Sequence, residues 1–247
     1  VSVVTKKMKI IAMIPARIGS ERLKYKNLRL LAGKPVISYA IEAAKKAEIF
    51  DQIIVNSDEI IFKEIAKRYN VDFYLRPKEL GSSTTQSDEV VYDFLTNNIS
   101  DIIVWVNPIA PLQSGNEIIK AINFMINNKF DTVITSKKES FHSLCDDIPL
   151  NFKIDEKFAK TQDLKPIQSL VYSLMMWNSK SFLKSYKSKG YGMLSGNVGF
   201  FEVDKKSTIK LNFEEDLEFC EAFLKVDKNM LAKYDTLLDE YLSFNEK

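Results

Sequence analysis

The sequence predicts an α/β fold in three layers, a mostly parallel sheet with helices on both faces. Two observations predict it. Short apolar runs of strand length alternate with helical periodicities through the first half of the 247-residue chain. Strands that alternate with helices make right-handed crossovers, so neighbouring strands run parallel and both faces of the sheet are covered. The apolar share of 45% is enough to fill such a core without disulfide or metal staples.

The elements follow in order. Residues 9–14, Lys-Ile-Ile-Ala-Met-Ile, read as a buried strand. Pro35 opens a helix whose apolar face is Val36, Ala40, Ile41 and Ala44. Residues 52–56 are a second apolar strand, 60–69 a helix and 72–75 a short strand. Val90, Val91, Phe94 and Leu95 mark the next helical face, and 101–107 the third strong strand. Ile118, Ile119, Ile122, Met125 and Ile126 make a further helix, followed by a strand at 131–135. From 137 to 196 the pattern loosens into polar loop with a strand-like piece at 170–177. This segment is expected to be a small inserted subdomain of dimerisation type. Residues 199–203 look like a returning strand and 214–224 like a helix. The expected division is therefore one α/β domain from 9–136 and 197–247, with 137–196 inserted. Leu231, Tyr234, Leu238 and Tyr241 at three- and four-residue spacing give a final amphipathic helix.

Composition excludes several classes. The net charge is +2, and no stretch concentrates Lys and Arg without acidic neighbours, so a nucleic-acid surface is not indicated. No apolar run approaches the roughly 20 residues of a membrane span. Residues 1–9 lack the apolar centre of a signal peptide. Cys145 and Cys220 stand far apart and read as reduced thiols, which with the previous point leads to a cytoplasmic expectation. His142, the one histidine, lies in a polar loop, where a solvated ring is expected. Without a second histidine it forms no histidine-based metal cluster.

In folds of this class ligands sit at the carboxyl ends of the strands. The loop after the first strand, residues 15–27, carries the strongest signal there. Arg17, Arg22, Lys24 and Lys26 fall within ten residues, with Gly19 and Ser20 among them. Phosphates need cations and free backbone N–H groups in one place, and such a loop supplies both. No Gly-Lys-Ser/Thr follows, so this is not a Walker loop.

These residues carry a specific resemblance. Ile14-Pro-Ala-Arg-Ile-Gly-Ser-Glu-Arg-Leu-Lys-Tyr-Lys-Asn-Leu28, and then Leu31-Ala-Gly-Lys-Pro-Val-Ile-Ser-Tyr-Ala40, resemble the opening of the CMP-N-acylneuraminate synthetases, with part shared by the CMP-Kdo synthetases. Further pieces match in order: 50–58 ending Asn-Ser-Asp, Leu75-Arg-Pro-Lys-Glu-Leu80, Thr84 to Ser87, and Asn107-Pro-Ile-Ala-Pro-Leu-Gln113. The resemblance is clear over 9–136 and returns weakly at 199–224. It implies a fold like the nucleotide-diphospho-sugar transferases and the joining of CTP to an acidic 2-keto-3-deoxy sugar, releasing pyrophosphate. By the same analogy Arg17, Arg22 and Lys26 are the catalytic cations and Ser20 helps hold the triphosphate. Asn27, Arg76 and Ser87 fall at cytidine positions, and Asn107 at a sugar position. Arg76 also reads as a surface turn charge, and Ser87 as the cap of the next helix. Partners are then CTP and the sugar, in a homodimer.

The chain departs from that family where magnesium is held. An Asp-x-Asp motif precedes the family's Glu-Asp-Leu helix; aligned on Glu214-Glu-Asp-Leu217, those positions hold Lys210 and Asn212. Mg²⁺ prefers hard carboxylate oxygens, which an ammonium cannot replace. Magnesium is thus expected by analogy with its ligands unknown, Asp58 or Glu214 being carboxylates that could serve. The family's Arg-Pro-Asn-Gly segment corresponds roughly to Ser169-Leu-Val-Tyr172, and the Arg of its Pro-Leu-Arg is Gln113.

Overall fold

The structure is a computed structural model and describes residues 8–226. The amphipathic periodicity at Leu231, Tyr234, Leu238 and Tyr241 lies outside those residues. The strands are β1 (Ile10–Ala16), β2 (Leu30–Leu31), β3 (Lys34–Pro35), β4 (Gln52–Ser57), β5 (Asp72–Leu75), β6 (Ile102–Val106), β7 (Thr132–Glu139), β8 (Leu144–Cys145), β9 (Ile148–Pro149), β10 (Ile167–Asn178) and β11 (Val198–Glu202). The helices are α1 (Val36–Ala47), α2 (Ile61–Arg68), α3 (Ser87–Asn97), α4 (Gly115–Asn127), α5 (Ser179–Lys189) and α6 (Glu214–Lys225).

Seven strands form one sheet in the order β11-β7-β10-β6-β1-β4-β5. All neighbours are parallel except β10, which runs antiparallel to both β6 and β7. Alternation along β1 divides the core. Ile10, Ala12, Ile14 and Ala16 face α1, α2 and α4, while Ile11 and Met13 face α3 and α5. Every one of those six side chains is buried, as two-sided coverage requires. A third cluster, Leu23, Leu31, Val36, Leu112, Leu211, Leu217 and Cys220, seats α6 beneath the loop after β1. Helices α1 and α4 meet closely at Gly115, where an added Cβ would lie 2.8 Å from the Ala47 nitrogen and 2.9 Å from the Ala43 oxygen.

The segment expected to stand apart, 137–196, is divided differently. Its strand, β10, sits inside the main sheet, and α5 sends Phe182 into the core with α3. The reason is burial: Leu174, Met175, Met176 and Trp177 are all at least 96% shielded, which needs cover on both faces. What leaves the sheet is the arm 140–166, with the β8–β9 hairpin and a short 3₁₀ turn at Thr161–Asp163. Phe141, Leu144, Ile148, Leu150, Ile154 and Phe158 of this arm are exposed. His142 is not a solvated loop residue. Its ring stacks on Phe158 at 4.0 Å between centroids and meets Phe152 edge-on at 4.9 Å.

Candidate active site

A cleft of about 400 Å³ opens between the loop after β1, the segment joining β5 to α3, and the end of β6. Arg17, Ser20, Arg22, Lys26, Asn27, Arg76, Ser87 and Asn107 all line it. Lys24 is exposed and is not among the lining residues. Topology explains the convergence. Strands β1 and β6 are parallel neighbours, so their carboxyl-end loops open side by side. The neighbouring β4 and β5 bring Arg76 to the same edge of the sheet.

The loop is shaped by its own backbone. Tyr25 takes a left-handed conformation (φ 53°) immediately before a 3₁₀ turn, Lys26–Leu28. That conformation is costly for a residue with a Cβ. The turn directs Lys26 inward, where its Nζ donates to the Leu211 carbonyl at 2.6 Å. Burial, then Arg22 and Arg17, hold the Lys26 ammonium below the ordinary lysine value. Three cations crowded on one loop repel each other until an anion arrives. Arg17 donates to the Ser82 carbonyl at 3.3 Å, and Arg22 lies over the Phe213 ring at 5.9 Å.

Arg76 is not a surface turn charge. It is 5% exposed, pairs with Asp58 at 2.9 Å, and donates to the carbonyls of Ala16 and Asn56 at 3.2 and 3.3 Å. Burial lowers its pKa from the ordinary arginine value, against the opposing pull of Asp58. Its Nε has no acceptor among the described residues, nor has the buried Trp105 Nε1. Both residues line the cleft. An unpaired buried donor costs about 1–3 kcal/mol, so a ligand oxygen or ring nitrogen at either is favoured.

Ser87 is the first residue of α3, and Gln86 is its cap; Glu89 accepts from the Gln86 amide at 3.0 Å. The Ser87 hydroxyl is therefore not the helix cap. Asp88 accepts from the amides of Gly192 and Met193, at 2.5 and 2.9 Å, and ties α3 to the turn after α5. Asn107 Nδ2 donates to the Tyr172 carbonyl at 3.0 Å. Tyr172 stands at φ 61° inside the register shift that separates Leu170 from Met175 in β10. That left-handed position is one glycine fills without strain, and it coincides with the glycine of the Arg-Pro-Asn-Gly alignment. Gln113 turns inward: it is 6% exposed and donates to Glu117.

Trp105 is a lining residue that the sequence motifs do not single out, as are Ser82 and Ser83. It shares a face of β6 with Ile103 and is the last side chain of that strand on that face. Alternation along 102–106 carries that signal.

The carboxylates do not fit a protein-held magnesium ion. Asp58 is consumed by Arg76, and Glu214 by Arg29 through two contacts at 2.6 and 2.7 Å. Asp216 Oδ2 accepts the amides of Asn212 and Phe213 at 2.6 and 2.8 Å. Among the described residues, Glu21 is the one acidic residue lining the cleft. No group of three metal-capable His, Cys, Asp or Glu side chains occurs among the described residues. Mg²⁺ usually takes one or two free carboxylates plus phosphates and water, and this donor set does not offer them together.

Over 129 residues the chain is 36% identical to an N-acylneuraminate cytidylyltransferase of Escherichia coli O18:K1:H7, covering 51% of this chain and 31% of that protein. It is 27% identical over 245 residues to a pseudaminic acid cytidylyltransferase of Campylobacter jejuni, covering 94% and 93% of the two chains. The chain spans about a third to about a half of the length of the first curated relatives it matches, 31% and 51%. In fold it is similar to a CMP:2-keto-3-deoxy-manno-octonic acid synthetase solved with CTP, at a TM-score of 0.68 and 12% identity over 87% of this chain and 98% of that one. A family model described as cytidylyltransferase matches residues 11–173, from β1 to the irregular turn of β10, which is the stretch that builds most of the cleft. The chain belongs to the cytidylyltransferase family.

Proposed function

We propose that this chain transfers a cytidylyl group from CTP to the anomeric hydroxyl of an acidic 2-keto-3-deoxy sugar. The observation that carries the proposal is the convergence of Arg17, Arg22, Lys26, Asn27, Arg76 and Asn107 on one cleft within the family's matched region. Relatives named for sialic, pseudaminic and legionaminic acids support the substrate class. In this reading the sugar hydroxyl attacks the α-phosphorus in line. A new P–O bond forms, the bond from the α-phosphorus to the bridging oxygen breaks, the hydroxyl proton passes to solvent, and pyrophosphate leaves. Arg17, Arg22 and Lys26 take up charge on the phosphates. Reactions of this type depend chiefly on positioning and charge stabilisation, so fixed cations suit the task. Ser20 would add a contact to the triphosphate, and Asn27, Arg76 and Ser87 would face the cytidine.

A homodimer in the cytoplasm belongs to the same reading. The exposed apolar residues of the 140–166 arm support the first part. No helix among the described residues is long and apolar enough to cross a membrane.

The test is pyrophosphate release from CTP against a panel of sialic, legionaminic, pseudaminic and Kdo-type sugars, with and without Mg²⁺. Release that needs CTP and one of the sugars is expected, and Arg17→Ala should slow it by orders of magnitude. Unchanged turnover in Arg17→Ala would remove the site assignment. A second reading, a protein that binds nucleotide or CMP-sugar with little turnover, is favoured by Lys210 and Asn212 at the metal positions. Tight CTP binding without release across the panel would select it.

A further inference from the structure

Lys210 is not itself a lining residue of the cleft; it flanks Leu211, whose backbone is bonded to two residues that are, and it has no ion-pair partner among the described residues. The extended segment 209–213 is fixed by the Leu211 amide, which donates to the Ile109 carbonyl at 2.8 Å, and by the Leu211 carbonyl, which accepts from Lys26. Ile109 and Lys26 both line the cleft. Leu211 is fully buried in the cluster beneath the loop, so the flanking side chains of an extended chain project away from that cluster. The Lys210 ammonium rests over the ring of Tyr172, 5.8 Å from its centroid. Tyr172 is in turn held through its carbonyl by Asn107, at the cleft wall. No ion pair to Lys210 occurs among the described residues, while the carboxylates Asp58, Glu214 and Asp216 all have other partners as described above.

We propose that Lys210 is an anion-binding residue of this cleft: the polyphosphate is neutralised by the protein's own cations, Lys210 with Arg17, Arg22 and Lys26, and not by a divalent ion held on protein carboxylates. The proposal rests on the reading of the cleft as a nucleoside triphosphate site. The charge count favours it. A triphosphate brings about four negative charges at neutral pH, and four cations without a carboxylate partner among the described residues stand here, Arg17, Arg22 and Lys26 on the cleft lining and Lys210 beside it over Tyr172. Metal-held sites in the same position need free carboxylates, which here would sit among those cations. A divalent ion carried by the nucleotide itself would need no ligand from the protein.

The test uses inorganic tripolyphosphate as the probe. The full chain is titrated calorimetrically in EDTA and again in MgCl₂, for the parent, Lys210→Met and Lys210→Asp, with matched thermal melts to show that each variant folds. The parent should bind in EDTA at least as tightly as in magnesium. Lys210→Met should weaken binding in EDTA by about tenfold or more, as loss of one charge-assisted contact does. Lys210→Asp should weaken it further and recover in magnesium. A parent that binds only with magnesium, or in neither buffer, overturns the proposal, as does Lys210→Met binding like the parent. Mn²⁺ alone, followed by its electron paramagnetic resonance signal, checks the same point directly. The parent should leave the free-ion signal intact, and stoichiometric uptake overturns the proposal. Discrimination of CTP from ATP and UTP is measured separately. Equal binding of all three would sink the cytidylyl reading while the tripolyphosphate result stands.

Discussion

Lys26 and Leu211, 185 positions apart, are joined by a 2.6 Å hydrogen bond from the Lys26 ammonium to the Leu211 carbonyl. The bond locks the cationic loop after β1 to the segment that carries Lys210. It also places a half-buried ammonium beside Arg17 and Arg22, which is why its pKa lies below the ordinary lysine value.

Affinity for a polyphosphate should therefore fall at alkaline pH earlier than an ordinary lysine would allow. The charged form of Lys26 binds the anion, and that form is lost as pH rises through its lowered pKa. Lys26→Arg keeps its charge through that range, so its affinity should hold to higher pH. Lys26→Ala should weaken binding about ten- to a hundredfold at neutral pH, the span of one charge-assisted contact. Calorimetric titration with CTP from pH 7 to pH 10 checks all three. Parallel pH profiles for parent and Lys26→Arg would show that Lys26 does not bear on the anion.

Asp58→Ala tests the buried pair. It leaves the Arg76 guanidinium without its carboxylate while both side chains sit at 4–6% exposure in the parent. Breaking such a pair from one side costs about 3–5 kcal/mol of stability. The double variant Asp58→Leu, Arg76→Met removes both charges and should restore most of that loss. Urea unfolding monitored by circular dichroism distinguishes the two. Nucleotide binding should be impaired in both, because both disturb Arg76 at the cleft wall. A single variant as stable as the parent would mean that Arg76 reaches solvent in its absence.

The strand ends were legible in the sequence because α/β topology fixes where loops converge. Arg17, Arg76 and Asn107 come from three distant loops, yet each follows a strand of one parallel set. What was not legible depended on partners and dihedral angles. Nothing in the residues 170–177 tells that β10 enters the sheet antiparallel between β6 and β7, because a short apolar run reads the same in either direction. The left-handed backbone at Tyr172 follows from the register shift in that strand, not from tyrosine's own preference. Asp58 and Glu214 looked like spare carboxylates until their arginines were seen. The ring stack that half-covers His142 joins residues 142, 152 and 158 across an irregular arm with no periodicity to announce it.

Gly115→Ala should destabilise the fold although alanine is the better helix former. The new Cβ would meet backbone atoms of α1 at 2.8 and 2.9 Å, which cannot move aside as a flexible side chain can. Overpacking of this kind costs about 1–3 kcal/mol. The propensity gain of up to about 1 kcal/mol offsets only part of it. A lower thermal midpoint with an unchanged far-ultraviolet spectrum is the expected outcome. An unchanged midpoint would show that α1 and α4 separate without loss.

Tyr74 gives a pH dependence with a definite sign. Its hydroxyl donates to Asp93 at 3.0 Å, and burial first, then the Asp93 charge, pushes its pKa from 10.0 to about 12. Between those values the unfolded tyrosine loses its proton while the folded one keeps it. The folded state then binds more protons, so stability falls as pH rises through the window from 10 to about 12 and is unaffected by this group below it. Tyr74→Phe removes the ionisation. It should lose about 0.5–1.5 kcal/mol at neutral pH for the missing hydrogen bond, yet show a shallower decline above pH 10. Urea midpoints for both proteins at pH 7, 9.5 and 11 measure the difference. Equal slopes above pH 10 would mean that Tyr74 ionises in the folded protein as freely as in the unfolded chain, and that the Asp93 contact does not hold its proton.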